Sequence, residues 1–127
     1  MKLICSKSNL LHGVNIVSKA VPTRTTMAIL ECILIDASAN EIKLTANDME
    51  LGIETKIEGE IAERGVIALD AKSFSEIVRK LPDSDVTIEL THGIRLYSGR
   101  IIQEIPTYSS HGILRFILRL HKLLFRD

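Results

Sequence analysis

No run of about 18 uninterrupted apolar residues occurs, the least that a membrane-crossing helix requires, so the sequence offers no transmembrane candidate. The opening MKLICSKSNLL is interrupted by polar residues before a signal-peptide core of the usual length forms. A cytoplasmic location is therefore expected. Cysteine is scarce, and the two present, Cys5 and Cys32, have neither CxxC nor histidine-ligand spacing. They read as small buried hydrophobes in a reducing compartment. Net charge is also absent: 16 bases balance 16 acids, so total charge points to no partner. With no tryptophan and 46% hydrophobic residues in 127, the composition is that of one ordinary soluble domain with a single core.

Catalytic motifs are missing as well. His12, His92, His111 and His121 are scattered without paired spacing, and there is no GxxxxGK[ST], GxGxxG or nucleophile elbow. Asp48 and Glu50 alternate along a strand-like stretch and so share a face, but no third ligand accompanies them. A non-catalytic binding role is expected, with no cofactor and no metal.

What the zero net charge conceals is segregation by sign. Residues 1–30 contain Lys2, Lys7, Lys19 and Arg24 and no acid. Residues 31–70 hold ten acids and three bases, and residues 71–81 return to basic with Lys72, Arg79 and Lys80 against Glu76.

Periodicity supplies the elements. KLIC reads as a strand, and residues 7–21 as a helix with Leu10, Val14, Val17 and Val21 on one side. Ser8, His12, Asn15 and Lys19 form its polar, acid-free face, Gly13 weakens it by about 1 kcal/mol relative to alanine, and Pro22 ends it. Strand-period segments follow at AILECILID, EIKLTAND and LGIETKIEG, then a hairpin-like EIAERGVIALDA bending near Gly65. Residues 72–81 form the second helix on Phe74, Ile77, Val78 and Leu81, with Ser73 and Glu76 matching a capping box and Pro82 closing it. DVTIEL, IRLYSG and IIQEI are further strands. Helices about 64 residues apart, each proline-closed and base-bearing, suggest an internal pseudo-repeat. The expected architecture is α+β, with both helices packed on one face of an antiparallel sheet.

Three stretches in order, MKLICSKSNLLHGVNIVSKAVPTRTTMAIL, LTANDMELGIE and DAKSFSEIVRKLPD, resemble the bacterial DNA polymerase III beta subunit family, the sliding clamps. YSGR and EIPTYSS extend the resemblance to about residue 110. It implies a DNA-clamp domain over residues 1–110 and a non-catalytic replication processivity factor. In that family three-domain chains pair head to tail into a ring whose helices line a hole for duplex DNA. Polymerase and clamp-loader subunits and a second clamp chain are the partners so implied. Arg24 matches an arginine that approaches DNA after the first helix, a task suited to a permanent charge on a planar fork. Lys7, His12, Lys19, Lys72, Arg79 and Lys80 are weaker candidates for the same sequence-independent phosphate contact. The resemblance also implies a subunit interface at Lys72, Glu76, Ile77, Lys80, Arg100, Gln103 and Ile105.

Residues 111–127, HGILRFILRLHKLLFRD, depart from the family pattern. The altered ending is expected from a shifted or broken reading frame, or a truncated paralogue, ahead of a one-domain clamp adapted to act alone. Arg115, Arg119, Lys122 and Arg126 recur opposite Leu114, Ile117, Leu118, Leu124 and Phe125. Such a basic amphipathic tail offers an alternative function, a small membrane-surface or protein-interaction module. The clamp reading itself involves no membrane.

Overall fold

The computed structural model describes residues 1–22, 31–47, 51–91 and 93–105. Strand β1 (Lys2–Ser6) alternates in burial, with Leu3 and Cys5 inward, and runs directly into helix α1 (Lys7–Val17). Ser6 joins them: its side chain accepts from the Asn9 main-chain N–H at 3.1 Å, satisfying a donor the first helical turn leaves free. Leu10, Gly13, Val14 and Val17 are buried on one side of α1, and Ser8, Asn9, His12 and Asn15 are exposed on the other. A single 3-10 turn, Ser18–Ala20, continues the helix. Val21 is then extended, as a residue before proline must be.

Strands β2 (Cys32–Asp36), β3 (Ile42–Asn47) and β4 (Gly52–Ile57) form an antiparallel meander, followed by β5 (Glu60–Glu63) and β6 (Val66–Asp70). Helix α2 (Ala71–Lys80) buries Ala71, Phe74 and Val78, and Leu81 is extended ahead of Pro82. Strands β7 (Asp85–Leu90), β8 (Ile94–Ser98) and β9 (Ile101–Ile105) make the second meander.

The α+β class is as expected, but the strands form two sheets where one was anticipated. Their orders are β5-β1-β7-β8-β9 and β4-β3-β2-β6. The pseudo-repeat explains this arrangement. Each half is strand, helix, three-strand meander, and each gives its first strand to the other half's sheet: β1 pairs with β7, and β6 with β2. The halves are thereby locked together by main-chain hydrogen bonds as well as by packing. EIAERGVIALDA is consequently no hairpin. β5 pairs with β1 and β6 with β2, the chain crossing between sheets at Arg64 and Gly65. Gly65 exchanges main-chain hydrogen bonds with Ala37, at 2.8 and 3.4 Å, extending the β2–β6 ladder. A Cβ at Gly65 would stand 2.6 Å from that of Met1, so the crossing passes too close to the N-terminus for a side chain.

The capping box is also corrected. Asp70, the last residue of β6, caps α2 by accepting from the Ser73 N–H at 2.9 Å. Ser73 lies inside the helix, because β6 feeds α2 without an intervening loop, as β1 feeds α1. One hydrophobic core joins both helices to both sheets. Leu10, Val14, Val17, Phe74, Leu3, Leu44, Ile88 and Leu96 are fully enclosed in it, Leu81 is 3% exposed, and Ile77 packs against it half-buried. Complete burial of Phe74 contributes about 2 to 3 kcal/mol. Helix α1 lies on β3 and β4 and touches β1, while α2 touches β6 and β9, so the helix pair spans both sheets.

Candidate nucleic-acid interface

The two helices pack on each other and run in opposite directions. At one end Lys7, the first residue of α1, donates from Nζ to the main-chain carbonyl of Arg79 near the end of α2, at 3.1 Å. An ammonium there also offsets the partial negative charge of a helix C-terminus. At the other end Ser18 and Val21 share a cleft of about 430 Å³ with Ala71, Lys72 and Ser75 at the start of α2. Pro22, Glu31 and Asp70 complete its lining.

The buried stripes determine where the bases point. Phe74 and Val78 face the core, which leaves Lys72, Glu76, Arg79 and Lys80 exposed on α2. His12 and Lys19 are exposed on the α1 side. The helix layer thus carries Lys7, Arg79 and Lys80 at one end, Lys19 and Lys72 at the other, and His12 between. Glu76 is its single acid among the described helical residues.

Charge pairing separates this layer from the strands. On the strands Lys43 meets Glu54 at 3.6 Å, Lys56 meets Glu41 at 3.2 Å and Arg95 meets Glu104 at 3.1 Å. Arg64 donates to Asn40 at 3.0 Å. Among the described residues no carboxylate lies within ion-pair distance of Lys7, Lys19, Lys72, Arg79 or Lys80. Lys43, Lys56 and Arg95 on the strands are engaged with neighbouring acids, whereas the helix cations, like Lys2 on β1, have no such partner among the described residues.

Arg24, the residue singled out for DNA contact, lies outside the described residues, as do Asp48, Glu50, His92 and the tail 111–127. Pro22 and Glu31 both line the cleft beside Lys72.

The anticipated interface residues divide. Lys72, Glu76, Lys80, Arg100 and Gln103 are exposed and Ile77 is half-buried, whereas Ile105 is only 2% exposed and belongs to the core. Ile105 is removed from that set, since strand alternation turns its side chain inward. Ile101 and Ile102, exposed by 40% and 60%, were not anticipated. The signal was present in IIQEI: adjacent residues of a strand face opposite sides, so its first two isoleucines cannot both enter one core.

Cys5 and Cys32 are both buried, and burial, with Asp85 nearby, pushes the Cys5 thiol up to about 12, far from a reactive thiolate. Among the described residues no three His, Cys, Asp or Glu side chains converge as a metal site, and no helix is long and apolar enough to cross a membrane.

Residues 1–105 match the family model for the DNA polymerase III beta subunit, N-terminal domain. The beta sliding clamp of Synechocystis is 41% identical over 92 residues, covering 71% of this chain and 24% of that protein. That of Bacillus subtilis is 42% identical over 98 residues, covering 71% and 26%. A crystal structure assigned to a DNA polymerase III beta subunit of Eubacterium rectale superposes with a TM-score of 0.84 at 73% identity, over 86% of this chain and 30% of that one. The chain spans about a quarter of the length of the curated relatives it matches.

Proposed function

The chain belongs to the DNA polymerase III beta subunit family, matching its N-terminal domain, and from that premise we propose that it acts in DNA replication as a non-catalytic clamp domain whose helix layer faces duplex DNA. The observation that carries this reading is the helix layer's concentration of bases without ion-paired acids, Lys7, Lys19, Lys72, Arg79 and Lys80 against Glu76 alone, while Lys43, Lys56 and Arg95 on the strands are matched with acids. Lys7, His12, Lys19, Lys72, Arg79 and Lys80, with Arg24 from the adjoining segment, supply the positive surface.

The mechanism is electrostatic. Bases spread over two helices attract the phosphate backbone without reading base edges, and the association displaces counterions. Lysine suits loose contact, because its ammonium is a mobile, strongly hydrated point charge that passes from one phosphate to the next. A duplex so held is free to slide. In the assembled family member the edge formed by α2 and β9, with Lys72, Glu76, Ile77, Lys80, Arg100 and Gln103, adjoins another clamp chain, and the polymerase and clamp loader are served by the whole protein.

Fluorescence anisotropy with a labelled duplex tests the reading. Binding is expected to be weak and independent of sequence, with a log–log salt slope of about −3 to −4, corresponding to three or four phosphate contacts. Arg24→Ala, Lys72→Glu and Arg79→Glu each weaken it at low salt and flatten the slope, whereas Lys56→Glu on the strands does not. Tight binding at physiological salt, preference for one sequence, or equal loss from the strand variant would overturn it.

A further inference from the structure

The contacts at the two ends of the helix pair set its alignment. Lys7 of α1 meets the Arg79 carbonyl of α2, and Ser18, after α1, lines one cleft with Lys72. His12 lies midway along α1 between these contacts and Glu76 midway along α2, so both stand at the middle level of the antiparallel pair. Leu10, Val14 and Val17 bury one side of α1, and Phe74 and Val78 one side of α2. His12 and Glu76 are exposed away from those sides. The layer therefore has basic ends, Lys7, Arg79 and Lys80 at one and Lys19 and Lys72 at the other. Its middle holds its single acid among the described helical residues, with a histidine at the same level.

The strands beneath α1 add no charge to this level. Leu44, Thr55 and Ile57 meet α1 at Gly13, and strand alternation turns Lys43, Glu54 and Lys56 to the other side of the sheet. On β1, Lys2 alternates with Leu3, which enters the core under the helices. Glu58, Glu60 and Asp85 share a cleft of about 300 Å³ with Asn9, one turn before His12. Among the described residues no carboxylate lies within ion-pair distance of His12.

We propose, on the premise that the helix layer faces DNA, that His12 places its grip under the control of pH. As imidazolium, His12 offsets Glu76 and adds a phosphate contact at the middle of the layer; as neutral imidazole it withdraws that contact. Histidine is the side chain whose ordinary value, about 6.5, lies in the neutral range. A phosphate beside the ring favours its charged form, so DNA binding at mildly acid pH takes up a proton. Neutral imidazole still has one N–H to donate, but counterion displacement requires charge. Protonation raises the layer's net charge by one unit, at the level where its bases are absent and its acid stands. The sign follows: the duplex is held more tightly as pH falls and released as pH rises.

Anisotropy titrations of the whole chain with a labelled duplex, at low salt and at about pH 5.5 and about pH 8, read this directly. The wild type is expected to bind about fivefold or more tightly at the lower pH, with a log–log salt slope steeper by about one contact. His12→Gln loses most of that gain. His12→Lys binds at the higher pH as tightly as the wild type does at the lower. Glu76→Gln tightens binding at both and keeps the pH dependence, which assigns the proton to the imidazole. A wild type that binds alike at both pH values, or a gain that His12→Gln retains because His92, His111 or His121 carries it, overturns the proposal. Lys72→Glu and Arg79→Glu, compared with the wild type at the higher pH, test the DNA-facing reading separately. If they bind as the wild type does, that reading fails; if they weaken binding and the wild type gains nothing at the lower pH, only control by His12 fails.

Discussion

A methyl group on Gly13 would stand 2.8 Å from Leu44 Cδ1, and 2.7 Å from Ile57 Cγ2. Helix α1 is thus seated on β3 and β4 at a distance only glycine permits. Leu44 is fully buried, so its retreat would have to displace packed neighbours. Alanine at this position gains about 1 kcal/mol of helix propensity, but overpacking costs typically about 1 to 3 kcal/mol. Gly13→Ala should therefore lower stability by about 1 kcal/mol net in urea unfolding, and Gly13→Val by more. An alanine variant as stable as the parent would mean that Leu44 and Ile57 yield freely.

The two candidate caps of α2 are separable. Asp70 accepts from the Ser73 N–H at 2.9 Å, so Asp70→Ala should cost about 1 kcal/mol, and Asp70→Asn much less. Ser73→Ala removes no cap and should leave thermal stability near the parent's. The reverse ranking in thermal denaturation would restore the Ser73–Glu76 box.

Two serines flank α1 with opposite consequences. Ser6 caps the helix, whereas Ser18 Oγ is buried with no hydrogen-bond partner among the described residues. Burying an unpaired hydroxyl costs about 1 to 3 kcal/mol. Ser18→Ala is expected to match or exceed the parent's stability, and Ser6→Ala to fall about 1 kcal/mol below it. Equal losses at both sites in urea unfolding would contradict the assignment.

For Cys5 the pH dependence has a definite sign. Its thiol is raised from 9.0 to about 12 in the fold, chiefly by burial. The unfolded chain therefore loses this proton first, and the contribution of Cys5, complete below pH 9, declines as pH rises toward 12. Stability measured across that interval should fall more steeply in the parent than in Cys5→Ala, and a thiol reagent at neutral pH should leave Cys5 unmodified until the protein unfolds.

Much of this molecule was legible along the chain, because helix faces and strand alternation are local. Leu10, Val14, Val17, Phe74 and Val78 were marked for the core by spacing alone, and Pro22 and Pro82 marked both helix ends through the extended conformation they impose on Val21 and Leu81. Separation of the bases Lys7, Lys19, Lys72, Arg79 and Lys80 from the acidic middle was likewise visible before folding. Periodicity does not say which strand a strand will pair with, since that choice depends on the relative energies of contacts between distant segments. Only the tertiary structure therefore decided that β1 and β6 change sheets, that EIAERGVIALDA divides at Gly65, and that Asp70 caps α2. The same holds for the meeting of Lys7 with the Arg79 carbonyl, which aligns the basic ends of two helices 64 residues apart, and for Gly13, a weakness in an isolated helix and a requirement once α1 lies on Leu44.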